Sequence, residues 1–463
     1  MSFPSTLLAR FGLTLLGLYG VGCASVDPRP SFDSVRALTA SRLGAEVGWR
    51  QDHDALATAN RRVGEILAAP LSADGAVEVA LLRNPRLQAR LEELGIAQAD
   101  LAQASLLANP HLSVARLDAQ GSASGRQTTL ALEIQVLDWL VQPLRRRMAE
   151  RDLERVRFEI GHAILETAAE ARNALVETEA AEQLIGRLQL IAEIDRTAAE
   201  FSEKLFDAGN LGALELAQSR AAWAQTQADI AMAKAEARRL RERVNRALGL
   251  FGEDIAWTSP TELPELPPTE VDLSGLESLA MRQRLDLAAG RSAVDAIGKA
   301  LALKKGTRFF PVGIDLGVET EKELDGVRIT GPTLKLQIPI FDTGRASVAR
   351  LESQLRQARW MLEAMAVDAR SEVREKRDDL IAARDRTSFF SEALLPLRAQ
   401  ILDLTLRHYN MMLRGTYDVL LARQREVEAE RGYIMALRDY WLARGALERA
   451  AAGRLDAPGK EVN

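Results

Sequence analysis

The sequence predicts a mainly α-helical chain with a transmembrane β part, built from two internal repeats of helix, strand pair, long helix and helix. Three observations carry this. The stretch Leu144 to Asp207 has no proline and keeps apolar residues at helical spacing, with Leu153, Val156, Ile160, Ile164, Ala168, Ala171 and Leu175 three or four apart. Short segments elsewhere alternate strictly between apolar and polar residues, as in Leu130, Leu132, Ile134 and Val136. Blocks of similar residues also recur in the same order in the two halves of the chain.

At 1.5 Å per residue, an unbroken helix from Leu144 to Asp207 would be on the order of 95 Å long. Arg155, Glu159, Glu166, Glu170 and Arg172 exclude a membrane-spanning helix. A water-exposed helix of that length needs partner helices. The totals narrow the class further. The 463 residues carry 60 Lys and Arg against 65 Asp and Glu, an acidic balance that disfavours a general nucleic-acid binder. One cysteine, Cys23, excludes an intrachain disulfide and a cysteine metal cluster. His53, His111, His162 and His408 lie far apart, and no His-Glu-x-x-His motif is present. No cofactor or metal is called for.

Residues 1–22 read as a secretory signal: Arg10 precedes the apolar stretch Phe11 to Val21, which ends in small residues. Gly20-Val21-Gly22-Cys23 resembles the bacterial lipoprotein signal, with Gly20 where leucine is usual. That resemblance implies an acylated Cys23, and Ala24 after it implies sorting to an outer membrane. A plain signal peptide with an incidental cysteine is the other reading. Residues 23–73 form an N-terminal segment, with an extended start at Pro28, Pro30 and Ser31 and one helix over Ala55 to Ala68.

The first repeat covers 74–248 and the second 273–452, joined by 249–272 and followed by the tail 453–463. Ala80 and Leu87 match Ala280 and Leu287. Ile134 to Asp138 match Ile338 to Asp342, and Gly209, Leu214 and Gln218 match Gly415, Leu420 and Gln424. Each half begins with a helix, 74–107 or 273–305. A strand pair follows, near Leu112 to Asp118 and Leu130 to Val136 in one half, and Val312 to Glu319 and Leu334 to Ile340 in the other. Loops rich in glycine and charge join the strands. The long helices come next, 144–207 and 343–411, the second with a kink expected at Pro396. Glycine turns at Gly209 and Gly415 close them. Return helices over 213–248 and 416–452 complete the plan. The Pro- and Gly-rich link Gly249 to Asp272 is expected to leave the helices as a small side element.

Strands of this length suit a tilted bilayer crossing. Four strands cannot close a barrel alone, so several chains must pool them. The soluble reading is a small β cap on a helical rod.

The order of these features resembles the TolC family of outer-membrane efflux proteins over residues 74–452. The matching residues are Asn109-Pro110 and Phe310-Pro311 before the first strands, and Phe341-Asp342-Thr343-Gly344-Arg345 after the last. Phe206 to Gly209 and Gly415 to Leu420 match at the turns. The resemblance implies a homotrimer whose twelve-stranded outer-membrane barrel continues into a periplasmic α-helical barrel. It implies a passive exit duct for metal ions or drugs, lipid-anchored in a Gram-negative outer membrane. The partners are then a periplasmic adaptor, an inner-membrane pump and outer-membrane lipid, with no nucleic acid. The turns would be the periplasmic tips that gate the pore, placing Asp207, Gly209, Asn210, Tyr409, Arg414, Gly415, Tyr417 and Asp418 there. Simple turn solvation explains the same polar residues.

Three other readings fit parts of the sequence. A periplasmic coiled-coil lipoprotein or an adaptor without a pore fits the helices, although an adaptor is expected to carry a compact β domain between them. His408, Met411 and Met412 would place soft metal ligands on one helical face, but packing accounts for them equally. Asp207 with Asp418, or Glu133 with Asp138, are carboxylate pairs of the sort an enzyme uses, yet pairs arise by default in a chain with 27% charged residues. The expectation is no enzyme.

Overall fold

A computed structural model describes residues 26–118, 126–270, 272–307, 313–336 and 340–455. Cys23 and the signal segment lie outside them, as do Phe310-Pro311 and the chain from 456 onward. The elements in order are α1 (Arg29–Leu43), α2 (His53–Leu67), α3 (Ala73–Arg83), α4 (Pro85–Ser105), β1 (His111–Asp118), β2 (Arg126–Gln135), α5 (Val136–Asp207) and α6 (Ala213–Leu248). A 3-10 turn (Gly252–Ala256) leads to α7 (Leu276–Gln283), α8 (Leu285–Thr307), β3 (Ile314–Lys322), β4 (Arg328–Leu336), α9 (Arg345–Phe389), a π turn (Phe390–Leu394), α10 (Leu395–Asn410) and α11 (Thr416–Ala451).

The chain forms two compact units. Among the described residues, one holds those of 26–34, 92–157 and 292–357, and the other those of 35–91, 158–291 and 358–455. In the first, the four strands make one antiparallel sheet in the order β1-β2-β3-β4. In the second, two cores repeat the same packing. Ala76, Val79, Ala80, Leu175, Val244 and Leu248 join α3, α5 and α6, and Leu276, Ala280, Val373, Leu380, Leu447 and Ala450 join α7, α9 and α11.

Several sequence expectations change. The N-terminal segment is helical from Arg29, directly after Pro28. α1 starts at Arg29, Asp27 Oδ1 accepts the Arg29 N–H at 3.0 Å, and Pro30 lies in the first turn, where no intrahelical N–H is lost. The helix expected over 74–107 breaks at Asn84, whose ψ of 117° leaves the helical region. Pro85 disfavours the helical conformation for the residue before it. Asn84 then caps α4, accepting from the N–H groups of Arg86 at 2.8 Å and Leu87 at 3.2 Å and donating to the Ala247 carbonyl at 2.8 Å. The helix expected over 273–305 breaks likewise at Arg284, with ψ 124° and no proline beside it.

The long helix α5 begins at Val136, not Leu144, and contains Pro143. Its start is fastened to the end of α4. Asp138 accepts the Ala108 N–H at 2.8 Å and pairs with Arg145 at 2.6 Å, and Gln142 donates to the Ser105 carbonyl at 2.7 Å. β4 begins at Arg328 and is described to Leu336; residues 337–339 lie outside the described residues. Pro396 stands just after a change in the helix's winding. A π turn precedes it, in which the Leu395 N–H reaches the Phe390 carbonyl. The extra residue absorbs the clash that a proline ring makes with the preceding turn. The return helix α6 spans the residues expected of it, and α5 and α6 are held in register by two buried polar contacts. Thr226 Oγ1 donates to Asp195 Oδ2 at 2.6 Å, and the hydroxyls of Ser202 and Ser219 lie 2.9 Å apart. The link after α6 does not stand away from the helices. Trp257 is 2% exposed in the first core, donates its indole N–H to Asn245 Oδ1 at 2.8 Å and lies 3.9 Å from the Arg241 guanidinium.

Candidate functional site

Two surfaces bear on function. The first is the sheet. Its register places Leu112 against Leu132, Val114 against Leu130, Leu132 against Val318, Ile134 against Leu316 and Leu316 against Leu334. Because side chains alternate, these residues share one face. Leu112 and Val114 are each 67% exposed and Leu334 is 59% exposed, so this apolar face is uncovered in the single chain. The other face is polar: Glu133, Asp315, Glu319 and Lys335 lie on it. Lys335 on β4 donates to Glu133 on β2 across the intervening strand. Gly317 makes that crossing feasible, since a Cβ there would come within 2.8 Å of Glu133 Cγ and of Thr333 Oγ1. The strands are eight to ten residues long, and β1 and β4 have no neighbour on their outer edges among the described residues. No described helix is long and apolar enough to cross a membrane.

The second surface is the pair of helix-hairpin tips. α5 ends at Asp207, and Gly209 adopts the left-handed conformation with φ 74°. The Gly209 N–H reaches the Phe206 carbonyl at 2.9 Å and the Asn210 N–H reaches Leu205 at 2.8 Å, a Schellman cap. In the other hairpin the left-handed residue is Met412, with φ 60°, and not Gly415. Met412 N–H to Tyr409 and Leu413 N–H to His408, both at 2.9 Å, repeat the same bonds. Gly415 instead has φ −86° and ψ 167° as the N-cap of α11, as Gly212 does for α6 with φ −78° and ψ 159°.

This corrects the internal alignment. Gly209 pairs with Met412 and Gly212 with Gly415, so Phe206 and Tyr409 are equivalent, each three residues before its left-handed turn. The same offset of 203 residues relates Gly212 to Gly415 and Gly249, with φ 72°, to Ala452, with φ 58°. It also relates the strand pair His111 and Glu133 to the pair Ile314 and Leu336. Glycine identity misled the sequence alignment, because the second hairpin fills its left-handed position without glycine.

At the second tip Asp418 accepts the Gly415 N–H at 3.1 Å and lies 3.7 Å from Arg414. Tyr417 is half exposed, and Met411, Met412 and Leu413 are exposed. The soft-ligand face drawn from His408, Met411 and Met412 is not formed, since α10 ends at Asn410 and the two methionines lie in the turn. Among the described residues no group of three or more His, Cys, Asp or Glu side chains is placed to hold a metal ion. Glu133 and Asp138 are each tied to a basic partner, Lys335 and Arg145.

Neither a protein-family model nor a curated protein sequence matches the chain. Solved structures do. The Campylobacter jejuni CmeC outer membrane channel superposes with a TM-score of 0.71 at 17% identity, over 84% of this chain and 87% of that one. CusC, described through its folding and transmembrane channel formation, gives 0.70 at 17% identity, over 82% and 91%. The Neisseria gonorrhoeae MtrE outer membrane channel, in its open state, gives 0.67 at 18% identity, over 82% and 88%. The chain has the fold of these outer-membrane channels, a mostly helical chain with one small sheet. The resemblance to the TolC family drawn from the sequence holds at the level of fold.

Proposed function

We propose that the chain is the outer-membrane exit duct of a tripartite efflux pump, passing metal ions or drugs outward without catalysing a reaction. The observation that carries this is the four-stranded sheet with one exposed apolar face, one charged face and two edges that are unpaired among the described residues. An isolated sheet of that kind leaves both its edge hydrogen-bonding groups and its apolar face unsatisfied. Pairing β4 of one copy with β1 of the next satisfies the edges. Three copies then give a twelve-stranded barrel with its apolar face to lipid and Glu133, Asp315, Glu319 and Lys335 to the lumen. The likeness to solved outer-membrane channels supports the same assembly.

The helices form the periplasmic barrel in this reading, residues 1–22 are removed, and Cys23 carries the acyl anchor in the outer membrane of a Gram-negative cell. The two repeats, 74–248 and 273–452, flank the link 249–272. The hairpin tips, with Asp207, Gly209, Asn210, Tyr409, Arg414, Gly415, Tyr417 and Asp418, close the pore and meet a periplasmic adaptor. The exposed Met411, Met412 and Leu413 offer that adaptor an apolar contact. Crosslinked affinity purification from the native envelope tests the reading. Recovery of an adaptor and an inner-membrane pump supports it. Recovery of peptidoglycan and lipoproteins alone favours a structural rod without a pore.

A further inference from the structure

Glu179 on α5 is 5% exposed and has neither a hydrogen bond nor an ion pair among the described residues. It lines a cleft of about 510 Å³ in the second unit, between α5, α11 and the link segment Pro260 to Pro267. The link is laid over this face of α5 by the residues that follow Glu179. Glu182 accepts from the Ser259 hydroxyl and pairs with Arg241 at 3.4 Å, and Gln183 Oε1 accepts the Leu263 N–H at 3.4 Å.

Every guanidinium bordering the cleft is already engaged. Arg172 pairs with Glu448 at 2.7 Å, and Arg454 with Asp74 at 3.5 Å. Arg444 pairs with Glu270 at 2.7 Å and donates to the Leu455 carbonyl at 2.8 Å. The remaining acid on the wall, Glu262, lies 3.7 Å from Arg187. Glu179 is therefore the lining acid that lacks a cation among the described residues. Val176, Pro260, Pro264 and Trp441 supply apolar surface to the same cleft. The Trp441 indole N–H is fixed to the Pro264 carbonyl at 2.9 Å, which holds its ring in place.

We propose that this cleft binds a monovalent organic cation, its ammonium head against the Glu179 carboxylate and its apolar body against Trp441 and the prolines. The volume lies within the roughly 300–1,000 Å³ of small-molecule sites. An acid without a cation, in a cleft that also holds an indole, suits a quaternary or alkyl ammonium. It does not suit a divalent metal ion, which needs several oxygen or nitrogen ligands. Burial, and then the nearby charge of Glu182, push the Glu179 carboxyl up to about 8. At neutral pH it is mostly protonated, so binding the cation releases that proton to solvent and leaves a carboxylate–ammonium pair. Affinity rises with pH and levels off above the carboxyl's own titration. The site stands whether or not the chain forms a pore.

The test is calorimetric titration of the full-length protein in detergent with benzyltrimethylammonium, whose charge does not change with pH. The expected result is one site per chain, about tenfold tighter at pH 9 than at pH 7. About one proton should be released per cation at pH 7, read from two buffers of different ionisation enthalpy. Glu179→Gln keeps the shape of the neutral acid; it should weaken binding at pH 9 at least tenfold and abolish the pH dependence. Trp441→Leu should weaken binding at both pH values and keep the proton release. No saturable binding at pH 9 by protein with an unaltered melting curve overturns the proposal. Equal binding by Glu179→Gln, or binding independent of pH in the unmodified protein, overturns it as well.

Discussion

The ring of Phe390 fills the space that a side chain on Gly432 would occupy: a Cβ on Gly432 would lie 2.5 Å from the ring edge. Phe390 opens the π turn ahead of Pro396, and Gly432 faces it from α11. The bare backbone at 432 thus admits the ring at the point where the long helix changes its winding. Gly432→Ala should force the ring or the turn to move and cost about 1–2 kcal/mol, even though alanine is the better helix former. Thermal unfolding checks this. Combining Gly432→Ala with Phe390→Leu should recover part of the loss, because the smaller side chain vacates the contact. Independent, additive losses would mean that the two residues are not coupled.

Met412 stands in the left-handed conformation that Gly209 occupies in the other hairpin. A side chain with a Cβ is disfavoured there by about 1 kcal/mol relative to glycine. Met412 is 94% exposed, so no packing compensates within the chain. Met412→Gly should therefore stabilise the second hairpin by up to about 1 kcal/mol, whereas Gly209→Ala should destabilise the first by a similar amount. Hydrogen exchange at the Leu413 and Asn210 amides, which close the two caps, resolves the local effect.

These turns show where sequence reasoning reaches and where it stops. The return helix expected over 213–248 is α6, because its stripe and the glycines around it agree. Breaks at Asn84 and Arg284 were invisible to periodicity, since apolar spacing continues through both; only Pro85 signalled the first. The start of α5 at Val136 is hidden in the sequence because the alternation of Leu130 to Val136 runs straight into helical spacing. Met412 carries no sequence signal for a left-handed turn, so glycine spacing alone pairs Gly415 with Gly209 when its counterpart is Gly212. Nothing in the sequence marks Asp195, Thr226 and Glu179 as buried, yet all three are less than 10% exposed in the fold.

Glu179 makes stability depend on pH. Its carboxyl is raised from the ordinary 4.5 to about 8, so the folded chain holds a proton that the unfolded chain releases. Unfolding then becomes easier as pH rises between these two values, and the contribution is constant above about 8. The stabilisation is fully present below pH 4.5. Glu179→Gln should remove the slope and leave the protein more stable at pH 8, by an amount on the order of a few kcal/mol. Thermal midpoints of both proteins between pH 5 and 9 measure it. Parallel curves would show that Glu179 is ionised in the fold.

If the tips gate the pore, removing charge there should loosen them. Asp418 also caps α11 through the Gly415 N–H, so Asp418→Ala mixes loss of charge with loss of a cap worth about 1 kcal/mol. Asp418→Asn keeps an acceptor at the cap and removes the charge that faces Arg414. Asp207, in the last turn of α5, is on that helix's negative end, so Asp207→Ala should not weaken the helix itself. Single-channel recordings in planar bilayers should show raised conductance for Asp207→Ala and Asp418→Asn. Unchanged conductance in both assigns the two carboxylates to turn solvation.

Cys23 offers a chemical test of the anchor that does not depend on the pore. If it is acylated, metabolic labelling with a fatty acid should tag the protein, and Cys23→Ala should abolish the tag. The barrel supplies its own hold on the membrane in the proposed assembly, since its apolar face is buried in lipid independently of the acyl chains. The substituted protein should therefore remain in the outer-membrane fraction and still run as a heat-modifiable trimer. Undiminished label removes the lipoprotein assignment. Release of the unlabelled protein into the soluble periplasmic fraction contradicts the barrel instead, because a chain held only by its acyl groups would be a rod on the membrane surface.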